Sequence, residues 1–80
     1  MVTMEISQLK RVVSYIDGEP ITTEKWLTRY ARKVYNRRHE KDPRYTKADA
    51  LGEALDELDD GWGIFIDPTQ DEYDDLLHSI

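Results

Sequence analysis

Eleven carboxylates follow Lys47 in this chain of 80 residues, and no Lys or Arg stands among them. Asp49, Glu53, Asp56, Glu57 and Asp60 recur at intervals of four, three, one and three, which at about 100° per residue sets them along one side of a helix. Farther on, Asp71, Glu72, Asp74 and Asp75 oppose Tyr73, Leu76 and Leu77 with the same periodicity. Helical side chains four apart have Cβ atoms about 5–6 Å apart. Successive phosphates of a nucleic-acid strand are separated by roughly 7 Å, two axial steps of about 3.4 Å. Such rows offer a polyanion to a basic surface and steer its approach. They also read as a solvated face that serves solubility, or as counter-charges for the chain's own cations.

The cations lie upstream. All eleven Lys and Arg fall between Lys10 and Lys47, accompanied from the start of the chain by only six acids, so the formal net charge of −6 conceals two halves of opposite sign. Arg29, Arg32, Lys33, Arg37 and Arg38, continuing to Lys41 and Arg44, interleave with Tyr30, Tyr35 and Tyr45. That mixture supports a rival reading, nucleic-acid binding by a basic helix over 24–44, with cations on phosphates and an aromatic stacked on a base. Tyr30 and Tyr35 fall on or beside the apolar side of that helix, which predicts core roles for both. No helix-turn-helix, zinc or RNA-recognition motif accompanies the cations.

Other chemistries fail on their residues. Asp56, Asp60, Gly61 and Asp67 occupy positions one, five, six and twelve of a calcium-loop register, but Leu58 stands at the third, a ligand position, and Gly63 replaces the usual apolar eighth. His39 lies in a charged segment and His78 near the C-terminus, neither with a serine nearby to make a nucleophile and base. Carboxylate pairs are too many to single out a general acid and base, and no glycine-rich phosphate loop exists. The expectation is a protein that binds rather than catalyses, with no cofactor and no metal.

These side chains need elements to position them. Val12 to Thr22 reads as two short apolar segments around Asp17-Gly18, a strong hairpin signal. The residues before it suit either an edge strand from about Val2 to Ile6 or a helical turn carrying Ile6 and Leu9. Thr22 or Thr23 opens a helix whose apolar side is Trp26, Leu27, Tyr30, Ala31, Val34 and Tyr35 and whose outer side is Lys25, Arg29, Arg32, Lys33 and Arg37. Pro43 makes Arg38 to Tyr45 a loop. Thr46 and Asp49 form a capping box for a second helix, with Ala48, Leu51, Ala54, Leu55 and Leu58 inward and Gly61 at its end. Trp62 to Ile66, apolar and β-prone, predicts a third strand paired with the hairpin. Asp67-Pro68 predicts the cap and first residue of a last helix burying Tyr73, Leu76, Leu77 and Ile80.

The fold class expected is therefore a small α+β domain over 1–80, in the order β-β-α-α-β-α. Eighty residues leave room for one core, and apolar residues at 39% with helical and strand periodicity argue against disorder. A core of this size gives marginal stability, so a dimer fits, with the basic helix of one protomer meeting the carboxylates of another. The absence of cysteine excludes disulfides and thiol chemistry and fits the cytoplasm. Met1 to Ser7 has no basic stretch followed by an apolar one, and no run of eighteen apolar residues occurs, which predicts neither export nor a membrane span.

In size and charge the chain resembles the small acidic proteins with which bacteriophages act against host DNA-binding, restriction or nucleoid proteins. The resemblance is one of composition and no family motif carries it. It implies a DNA-mimic inhibitor whose partner is a basic, DNA-binding protein. The contact residues expected are Asp49, Glu53, Asp56, Glu57, Asp60, Asp71, Glu72, Asp74 and Asp75. Trp62 is either core or an apolar anchor at the edge of the acidic surface.

Overall fold

Asp17 and Gly18 both take positive φ, 52° and 82°, the two left-handed residues that a tight hairpin turn matching the twist of its strands requires. They join β1 (Val12–Ile16) to β2 (Glu19–Thr22) in an antiparallel pair with Ser14 opposite Ile21 and Ile16 opposite Glu19. A register irregularity between Val12 and Ser14 bends the start of β1. Pro20 is tolerated because a two-stranded sheet has only edge strands. The computed structural model describes residues 8–80. The Val2–Ile6 strand lies outside the described residues, while a 3-10 turn over Gln8–Lys10 buries Leu9.

Helix α1 (Thr23–His39) follows the hairpin without a loop. The Thr22 hydroxyl accepts a hydrogen bond from the Lys25 amide, and buried Thr23 donates through both its amide and its hydroxyl to the Arg11 carbonyl at 2.8 and 3.2 Å. The helix is thus held to the foot of the sheet. It runs through Arg38 and His39, two residues farther than the predicted loop allows, and the connection turns on Asp42, whose carbonyl accepts from the Tyr45 amide. Thr46 caps α2 (Lys47–Trp62) with a reciprocal pair of bonds to Asp49, as the sequence predicts.

Helices α1 and α2 make the main packing interface, and Leu27, Ala31, Ala50, Leu51, Ala54 and Leu58 are fully buried there. Their several alanines permit close approach of the two backbones. Leu9, Ile66 and Leu76 complete the core cluster. Ala48, expected inside, is exposed; Ala50 takes the inward position, because the face that meets α1 is set by Leu51, Ala54 and Leu58.

Three expectations for the C-terminal part are corrected. Gly61 does not end α2. The helix continues through Trp62 and stops at Gly63, whose φ of +69° lets its amide bond back to Asp59 and Leu58. The third strand is absent from the described residues, where the sheet has two strands. Trp62 is helical, and the Ile64 amide is committed to the Leu58 carbonyl at 2.9 Å instead of a neighbouring strand. Ile64 and Ile66 still turn inward around outward Phe65, an extended segment that packs without a ladder. Lastly, α3 (Gln70–His78) is capped by Thr69 and not by Asp67 with Pro68 at the first helical position. Thr69 and Glu72 exchange two bonds, at 3.2 and 2.9 Å, that satisfy two end amides at once, where Asp67 offers one acceptor. Leu76 of α3 is buried, and Tyr73, Leu77 and Ile80 pack at the core's edge. Among the described residues no helix is long and apolar enough to cross a membrane.

Candidate functional site

The inward face of α2 leaves Asp49, Asp56, Glu57 and Asp60 exposed on its other side, and α3 likewise exposes Asp71, Asp74 and Asp75. What each carboxylate already holds divides them. Asp49 and Glu72 accept the amides of Thr46 and Thr69 at their helix starts, and Asp74 accepts from Gln70 Nε2 at 3.0 Å. Glu53 is half-buried and held on both oxygens, by Arg38 Nη1 at 3.0 Å and by the Tyr45 hydroxyl. Asp56, Glu57, Asp60, Asp71 and Asp75 have no side-chain hydrogen bond or ion pair among the described residues. Glu72 and Asp75 border a cleft with Lys10 and Lys25, yet Lys10 pairs with Glu24 at 3.0 Å.

The reason these carboxylates stay unpaired is topological. Helices α1 and α2 share a core, so the basic side of one and the acidic side of the other both face solvent, directed away from the common interface. Near the connection the two come together, and there Arg38 reaches Glu53. Calcium-loop geometry is ruled out by the same helix, since Asp56 and Asp60 lie on continuous α2 and Leu58 is fully buried.

On the basic side, Arg29, Lys33 and Arg37 are exposed and make no side-chain hydrogen bond or ion pair among the described residues. Arg32 is committed: its Nη2 donates to the Ser79 carbonyl at 2.6 Å, tying the end of α3 to α1 where a cation is favoured. Tyr30 stacks on Trp26 with ring centroids 5.1 Å apart, and Tyr35 stacks on His39 at 4.7 Å; both are partly buried against the core cluster. Between α1 and the hairpin runs an open groove with Lys25, Arg29 and Lys33 along it and Ile16, Ile21 and Trp26 within it.

Trp62, placed by the sequence at either the core or the acidic edge, is 45% exposed and meets Trp26 edge-on at 5.7 Å. Sequence reasoning missed two features. Phe65 is 67% exposed, because the segment expected as a buried strand presents one of its faces to solvent. The Arg38–Glu53–Tyr45 cluster was also unforeseen. Its ring-over-cation contact, with the Arg38 guanidinium 5.7 Å from the Tyr45 centroid, depends on the path of the connection. Burial first, and then the bond to Glu53, push the Tyr45 phenol up to about 12. His39 Nδ1 donates to the Tyr45 carbonyl at 3.0 Å, a second tie on the same residue.

Comparison with models of protein families, with curated proteins and with solved structures finds no match to this chain.

Proposed function

We propose that this chain is a small protein-interaction module of the phage DNA-mimic kind, whose carboxylates on α2 and α3 occupy the nucleic-acid site of a basic DNA-binding protein in the cytoplasm. The observation that supports this reading most is the set Asp56, Glu57, Asp60, Asp71 and Asp75, exposed and without a cation partner among the described residues. Spread along two helices at spacings near that of phosphates, they favour a surface that binds to Lys and Arg rows and releases their counterions. Asp49, Asp74 and Glu72 remain part of this surface while capping or bracing their helices, and Trp62 stands beside it as an apolar contact. Glu53, held inside by Arg38 and Tyr45, contributes least.

The test is capture from lysate on immobilised protein, with a second version carrying D56N, E57Q, D60N, D71N and D75N. The expected result is a basic DNA-binding protein recovered by the first and lost by the second. Recovery of the same protein by both removes the reading. The basic helix stands as the alternative, favoured by Arg29, Lys33 and Arg37, which are exposed and without an ion pair among the described residues. It requires direct, salt-sensitive binding of duplex or single-stranded nucleic acid, which the mimic reading excludes.

A further inference from the structure

Large apolar side chains are exposed at two places among the described residues: Val12, Tyr15 and Ile16 on the hairpin, and Trp62 with Phe65 at the end of α2. Ile16 is also part of the groove between the hairpin and α1, where Lys25, Arg29 and Lys33 supply cations and no carboxylate lines it among the described residues. An apolar floor beside cations selects an aromatic or aliphatic side chain flanked by carboxylates. This chain owns one. Phe65 protrudes from a segment bounded by Asp59, Asp60 and Asp67, all exposed and without ion pairs among the described residues.

The two features border each other. Trp26 lies in the groove, Trp62 touches Trp26 at 5.7 Å, and Phe65 follows three residues later, at most about 10 Å of chain. When both halves of a complementary pair lie on one surface, a two-fold axis satisfies the pair twice, and the assembly closes at two copies. A nucleic-acid strand suits the groove less well, because Asp59 and Asp60 beside Trp62 would repel its phosphates. We propose that two copies of this chain associate about a two-fold axis, the Phe65 corner of each seated in the groove between the hairpin and α1 of the other. Of the carboxylates proposed to bind the partner only Asp60 enters this corner, and the acids of α3 take no part in it.

The test is sedimentation velocity on the full chain up to about 1 mM, the weak end of specific affinity, at low and high salt. Two variants are compared with it, R29E/K33E in the groove and D59K/D60K at the corner, each checked for native helicity by circular dichroism. The wild type is expected to reach dimer mass, more readily at low salt. Each variant alone is expected to stay monomeric, whereas an equimolar mixture dimerises, because the mixed pair has opposite charges at both contacts. F65S is expected to weaken association about tenfold or more. A monomeric wild type throughout, a dimer indifferent to both variants, or a mixture that stays monomeric overturns the proposal. So does an oligonucleotide titration in which the groove binds nucleic acid and R29E/K33E abolishes that binding.

Discussion

Arg38 and Glu53 meet at 3.0 Å where the connection brings α1 and α2 together, the one ion pair among the described residues that joins the basic half of the chain to its acidic half. The Tyr45 hydroxyl takes the other Glu53 oxygen, so a residue of the loop closes over the contact. Both partners are partly solvated, 52% and 36% exposed as side chains, and such pairs contribute about 0–1 kcal/mol. Glu53→Gln is expected to lower stability by about 1 kcal/mol or less, with the ion-pair part shrinking in high salt. Urea unfolding of E53Q, R38A and the double variant isolates the coupling.

Tyr45 makes the same contact pH-dependent. Its phenol rises from 10.0 to about 12, which means that folding favours the protonated ring. The stabilisation is therefore complete below pH 10 and is lost as pH climbs through about 12, where the phenolate faces the Glu53 carboxylate. Phenolate absorbance measured against Y45F is expected to show one tyrosine ionising later than its ordinary value. Ionisation of Tyr45 near 10 would show that the contact does not form.

Cap positions separate two accounts of where α3 begins. Thr69→Ala removes the acceptor of the Glu72 amide and is expected to destabilise by about 1 kcal/mol. Asp67→Ala, outside the cap, is expected to stay within about 0.5 kcal/mol. Thermal unfolding of the two variants checks the order; the reverse order would place the cap at Asp67.

The end of α2 gives opposite signs for two glycines. Gly63→Ala forces a side chain into left-handed backbone at φ +69° and is expected to cost about 1 kcal/mol. Gly61→Ala lies within the helix, where an added Cβ meets only the mobile end of Glu57 at 3.0 Å. It is expected to stabilise by up to about 1 kcal/mol. Chemical denaturation of both variants reads the difference in sign.

These variants also mark where the sequence was legible. The hairpin and the starts of α1 and α2 depend on contacts within three or four residues, such as Thr22 with Lys25 and Thr46 with Asp49, and local spacing predicts them. Trp62 to Ile66 could not be resolved that way, because five residues are too few to display a period. Gly63's left-handed cap and the Ile64 amide decided it. At the start of α3 the reciprocal Thr69–Glu72 pair makes the cap that the sequence reading gave to Asp67-Pro68. The segregation of charge was readable from residue order alone. Which carboxylate would be taken by the chain itself was not, since Glu53 meets Arg38 through the path of residues 40–46.

The central claim, that exposed carboxylates stand in for phosphates, is tested most directly by competition on the captured partner. Labelled duplex DNA is bound to that protein and this chain is titrated in at fixed salt. Displacement of the DNA with increasing chain, weakened in the version carrying D56N, E57Q, D60N, D71N and D75N, is the result predicted. A stable ternary complex, with DNA and this chain held together on the partner, would contradict it.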